Sequence, residues 1–122
     1  MEKLLDANAV LRYLLEDIQE QSDCVAETIE AGAEVTVEVL AECVYVLSGV
    51  YHVSRSDIAE SLGILLDEVT CRRKRVAAAA LGLYSGSSFD FVDCVLAAEV
   101  SENGREALTF DKRRQSLFSR VA

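Results

Sequence analysis

The sequence predicts an α/β fold: a three-layer α/β/α sandwich around a central, mainly parallel sheet of four to five short strands. Two observations carry this. Short apolar runs alternate with stretches of helical periodicity, the pattern of strand–helix–strand units. Right-handed crossovers between parallel strands then place helices on both faces of the sheet. A third observation sets the size. The 122 residues are 51% apolar with no proline, which suits one domain, 1–122, with a real core and argues against disorder.

The elements follow in order. Lys3-Leu4-Leu5 is a short strand that stops at Asp6. Val10, Leu11, Leu14 and Leu15 recur at helical spacing up to the acidic break at Glu16-Asp17. A second helix runs from about Gln19 to Ala31, with Gly32 as its stop. Glu34 to Val37 alternates and is β-branched, so it reads as a strand. Leu40, Cys43, Val44 and Leu47 give a third helix. Ser54 with Asp57 three residues on resembles a capping box ahead of Ile58, Leu62, Leu65 and Leu66. Val69 to Arg72 is a weak strand. Val76 to Leu83 is an alanine-rich helix, and Phe89 to Val100 another after the break at Gly86-Ser87-Ser88. Asn103-Gly104 marks a turn, Ala107-Leu108-Thr109-Phe110 a last strand ending at Asp111, and Lys112 to Arg120 a last helix.

Composition removes several classes of function. No apolar run approaches the roughly 18 residues that cross a bilayer. Asp6 and Arg12 interrupt the only apolar stretch at the start, so it does not read as a signal peptide, and a cytoplasmic protein is expected. Cys24, Cys43, Cys71 and Cys94 form no C-x-x-C pair, which speaks against zinc and for free thiols. Phosphate-loop and dinucleotide glycine motifs are absent, and His52 has no obvious partner. The net charge of −9 seems to argue against nucleic acid, but it is unevenly spread. Residues 1–71 carry 15 acids and 3 bases, residues 72–122 6 acids and 9 bases. Two basic runs stand out, Arg72-Arg73-Lys74-Arg75 and Lys112-Arg113-Arg114; such runs are usually solvated faces.

The acids are placed where α/β folds keep their chemistry, beyond the C-terminal ends of strands. Asp6 follows the first strand and Asp111 the last. Glu38 and Glu42 share one face of the helix after the second strand. Asp90 and Asp93 do the same at the start of the helix after the Gly-Ser break. Taken singly, such acids are ordinary helix caps. Taken together they would repel unless a cation compensates, and hard oxygen donors suit Mg²⁺ or Mn²⁺.

Four segments in order resemble the PIN domain family, specifically the VapC-like toxin ribonucleases of toxin–antitoxin systems. Leu5-Asp6-Ala7-Asn8 with Leu11-Arg12-Tyr13-Leu14 is similar to the family's L-D-T-N-x-x-L-R-Y-L opening. Val39-Leu40-Ala41-Glu42 with Val44-Tyr45-Val46-Leu47 is similar to its second acidic motif. Asp90-Phe91-Val92-Asp93 with Ala97-Ala98 resembles its D-F-x-D segment, and Leu108-Thr109-Phe110-Asp111-Lys112 its closing strand and acid. The resemblance implies that Asp6, Glu42, Asp93 and Asp111 are catalytic metal-binding acids for Mg²⁺ or Mn²⁺. It makes Asp90 and Asn8 auxiliary residues. It implies endonucleolytic cleavage of single-stranded RNA, homodimers and an antitoxin protein as partner. Arg12, Arg55, Lys112 and Arg113 are the bases expected to guide the RNA backbone. Ala7 departs from the family's Thr or Ser and removes a hydroxyl beside the first acid.

Two other readings compete. A PIN-like module could keep its acids yet serve only to bind RNA or protein. A phosphoacceptor domain is also α/β with an Asp after its first strand, but it would want paired acids there and a Lys on the last strand, where this chain has Lys112 after the acid.

Overall fold

The computed structural model describes residues 2–122. The chain divides into two compact units, 1–74 and 75–122.

The first unit holds all the regular β structure. Strand β1 (Lys3–Leu4) pairs in parallel with β2 (Ala33–Glu34), Lys3 opposite Ala33 and Leu4 opposite Glu34. The Leu5 N–H donates to the Glu34 carbonyl at 2.9 Å. On the other side of β2, Thr70 makes a single parallel bridge to Glu34, its N–H donating to the Ala33 carbonyl while the Val35 N–H donates to its own carbonyl, each at 2.9 Å. Residues 33–35 are thus the middle of a very short parallel ribbon, and Ala33 and Val35 are buried as a central parallel strand requires.

Helices α1 (Ala7–Leu15), α2 (Gln19–Ala31), α3 (Val37–Gly49) and α4 (Arg55–Glu68) complete this unit. Each begins or ends on a local signal. Asp6 caps α1, accepting the Ala9 N–H at 2.8 Å. Glu16 closes it in the left-handed region at φ 51°. Gly32, at φ 117°, stops α2 where an L side chain would be strained. Thr36 caps α3 through the Val39 N–H, and Ser54 caps α4 through the Asp57 N–H at 3.1 Å. Ser54 and Asp57 thereby form the donor side of the predicted capping box. Helix α1 packs against α2 and α3, and α3 against α4. Val10, Leu40, Ile58, Leu62 and Leu65 are fully buried, one stripe from each of three helices.

The second unit is helical: α5 (Lys74–Ser85), whose first residue belongs to the first unit, α6 (Phe91–Asn103) and α7 (Lys112–Val121). Asp90 caps α6 and Asp111 caps α7. Helices α6 and α7 pack on each other, and Ala97, Leu117 and Phe118 form a small core with Leu83, Phe89 and Val121 against it.

The expected sheet of four to five strands is corrected by this arrangement. The described residues form two strands and one bridge, and so do not supply the sheet on which the predicted sandwich rests. Val37 opens α3 instead of ending a strand. Residues 107–110 are irregular, with Leu108 87% and Phe110 91% exposed. Local hydrogen bonds take up groups a strand partner would have used. Gln115 Nε2 donates to the Thr109 carbonyl at 2.8 Å, and Thr109 Oγ1 accepts the Asp111 N–H at 3.1 Å.

Candidate active site

In the first unit, Asp6 and Glu42 come together around one sulfur. Cys43 is fully buried on α3, and its thiol lies 3.9 Å from the Ala7 carbonyl at the start of α1. Burial, then the neighbouring Glu42 and Asp6 carboxylates, push this thiol up to about 12. Both carboxylates therefore stand close to Cys43, as the packing of α1 on α3 requires. One Asp6 oxygen is committed to the Ala9 N–H, and the side chains of Asp6, Asn8 and Glu42 are exposed. The pairing follows from sequence: Asp6 ends β1 and caps α1, while Glu42 sits one residue before the buried Cys43.

The bases expected to guide RNA are more constrained. Arg12 is largely buried, pairs with Asp17 at 3.0 Å, and keeps its Nε away from solvent without a hydrogen-bond partner among the described residues. Arg55 opens α4 and is half-buried. The 72–75 run is tied to acids: Arg72 to Glu34 at 3.1 Å, Arg73 to Glu38 at 3.6 Å, Lys74 to Asp67 at 3.5 Å and Arg75 to Glu102 at 3.7 Å. Arg72 and Arg73 line a cavity of about 170 Å³ with Thr36, Glu38 and Cys71 at the C-terminal end of β2. Glu38 is thus engaged with Arg73, leaving Glu42 as the acid beside Asp6.

In the second unit, Asp90, Asp93 and Asp111 gather around Arg114. Asp90 accepts the Asp93 N–H at 3.0 Å. Asp93 is only 7% exposed and, with Ser22, one of two buried polar residues among those described. Arg114 Nε donates to Asp93 Oδ1 at 2.7 Å, and its Nη1 lies 3.1 Å from Asp111 Oδ2. The other Asp111 oxygen accepts the Arg114 backbone N–H at 3.0 Å. Asp93, then Asp111 and Asp90, raise the Arg114 guanidinium above its ordinary value. The Arg114 backbone N–H, ahead of its charge, holds the Asp111 carboxyl below the usual range. Next to this cluster, Arg113 donates to Ser88 Oγ at 2.8 Å and lies over the Phe89 ring, 4.5 Å from its centre. Lys112 is exposed.

Arg114 is the participant that sequence reasoning missed. It lies in a basic run that reads as a solvated face, yet it stands three residues after Asp111, and in a helix that spacing brings two side chains together. Oxygen donors of the right chemistry for a hard divalent ion are present in both units. However, no group of three or more His, Cys, Asp or Glu among the described residues is arranged to hold a metal, and the second unit's carboxylates already have a cation in Arg114.

Comparison with known families adds one finding. The PIN domain model matches residues 3–122. The chain belongs to the PIN domain family, an α/β family whose members are generally nucleases and usually use divalent metals. No curated protein and no solved structure matches it. No helix among the described residues is long and apolar enough to cross a membrane.

Proposed function

We propose that this chain is a metal-dependent endoribonuclease that cleaves phosphodiester bonds of single-stranded RNA, and that it is the toxin of a toxin–antitoxin pair. The observation that carries the reading is a PIN match over residues 3–122 in a chain whose acids stand at helix starts, three of them as caps. In this reading Asp6, Glu42, Asp93 and Asp111 are the acids that hold Mg²⁺ or Mn²⁺. A divalent ion supplies an activated water and relieves charge on a phosphoryl group. Asp90 fixes the first turn of α6 and so the position of Asp93. Asn8 lies on the exposed side of α1 next to Asp6. Lys112 and Arg113, at the N-terminus of α7, and Arg12 and Arg55 in the first unit take the RNA backbone. The chain acts as a cytoplasmic homodimer, and an antitoxin protein covers the acids.

Cleavage of single-stranded RNA by the purified chain tests this reading. Asp93→Asn is expected to abolish cleavage while the circular dichroism spectrum stays helical. Undiminished cleavage by that variant would remove Asp93 from the chemistry.

A second reading, a non-catalytic PIN module that binds RNA or protein, is favoured by one observation. The carboxylates of the second unit are already compensated by Arg114. RNA binding without Mn²⁺-dependent cleavage by the wild-type chain would select it.

A further inference from the structure

We propose that Arg114 is a built-in counter-ion which a divalent metal must displace to reach Asp93, so that Arg114 sets how tightly this chain takes metal. The proposal rests on the nuclease reading for the roles of Asp93 and Asp111 and adds a regulator of their site.

The physical case begins with Asp93. A carboxylate that is 7% exposed cannot stay ionised without a partner, because burial removes the water that would solvate it. Arg114 supplies that partner with a short charge-assisted bond at 2.7 Å. The same guanidinium reaches Asp111 at 3.1 Å, so one planar cation bridges two acids from two different helix starts. Asp90 is near enough to add to the field on Arg114. Three carboxylates thus share one positive charge.

A divalent ion on Asp93 Oδ1 would occupy the position of the Arg114 donor. Two cations do not share that oxygen at bonding distance without strong repulsion. Arg114 has somewhere to go. Its side chain is 38% exposed, and Asp111, its second anchor, is 45% exposed. Breaking the Asp93 bond leaves the guanidinium on the first turn of α7, beside Lys112 and Arg113. Metal binding and the Asp93–Arg114 pair are therefore alternatives.

The test is Mn²⁺ affinity measured by calorimetry on the full chain at neutral pH. Arg114→Met removes the charge and keeps the stem, and is expected to bind Mn²⁺ about tenfold or more tightly than wild type, the worth of one charge-assisted hydrogen bond. The gain is expected to vanish in the Asp93→Asn, Arg114→Met double variant. Arg114→Lys keeps a cation but cannot bridge both acids, and is expected to fall between wild type and Arg114→Met; it also serves should Arg114→Met fold poorly. A melting experiment adds a second readout. Mn²⁺ should raise the Tm of Arg114→Met by more than it raises that of wild type. Equal or weaker Mn²⁺ binding by both Arg114 variants overturns the proposal, as does the absence of Mn²⁺ binding in every variant. RNA cleavage is scored separately. The expected order of affinities without cleavage in any variant upholds the counter-ion and removes the nuclease reading. Mn²⁺-dependent cleavage with the affinity order reversed does the opposite.

Discussion

Asp6 carries two jobs that a pair of substitutions separates. Its Oδ1 accepts the Ala9 N–H at 2.8 Å and so caps α1, while its charge stands near Glu42 around Cys43. Asn can cap as well as Asp, whereas Ala cannot. Losing an N-cap typically costs about 1 kcal/mol. The Asp6 cap is solvent-exposed, which places it near the middle of that range instead of at its upper end. For a domain of this size, such a loss is expected to lower Tm by roughly 3–5 °C. Asp6→Ala should show that drop by differential scanning calorimetry, and Asp6→Asn should melt within about 1 °C of wild type. Both should lose RNA cleavage, because neither offers a carboxylate. Full cleavage by Asp6→Asn would refute the chemical role, and an unchanged Tm in Asp6→Ala would refute the capping role.

Other expectations concern the thiols, the core and the backbone. In the native protein at pH 8, iodoacetamide should modify Cys24, the exposed thiol, while the buried Cys43, Cys71 and Cys94 stay unmodified; mass spectrometry showing Cys43 labelled first would contradict the packing of α3. The folded Cys43 thiol sits above its unfolded value of 9.0, so its contribution is complete below pH 9 and disappears as pH rises towards about 12; urea midpoints should fall across that window, and less so in Cys43→Ala. Asp111 is displaced the other way, so its contribution is present above the unfolded value of 3.8 and fades as pH falls through the lower folded value; Asp111→Asn should flatten the acid limb of the stability curve. Leu65→Ala empties a fully buried position and should cost about 2–5 kcal/mol by denaturant titration, with a loss below 1 kcal/mol counting against a well-packed α4. Glu16→Gly relieves a left-handed residue at φ 51° and should stabilise by up to about 1 kcal/mol in a thermal melt; a lower Tm would contradict that strain.

Much of the first unit was legible from local chemistry. The break at Glu16-Asp17, the stop at Gly32 and the Ser54 cap are signals that a helix end needs whatever surrounds it. The Asp6, Asp90 and Asp111 caps were equally readable, and here the plain structural reading and the functional one are both satisfied by the same side chains. Strands were less legible, because a strand exists only through its partner. Ala107-Leu108-Thr109-Phe110 has strand-like residues, but Thr109 and Gln115 satisfy backbone groups locally, and Leu108 and Phe110 remain exposed. Four residues of alternation cannot tell a paired strand from an exposed loop. Arg114 was hidden for a different reason. A run of Lys and Arg looks uniform in sequence, and only the turn of α7 separates Arg114, which bridges Asp93 and Asp111, from Arg113, which lies over Phe89.

The central claim is that the acids of this PIN domain serve metal-dependent cleavage of RNA. The most direct measurement is cleavage of a fluorogenic single-stranded RNA by the purified wild-type chain, titrated with Mn²⁺ and then with EDTA. Cleavage that rises with Mn²⁺, stops with EDTA and is lost in Glu42→Gln is the expected result. No cleavage at saturating Mn²⁺, or cleavage that EDTA leaves untouched, would contradict the claim.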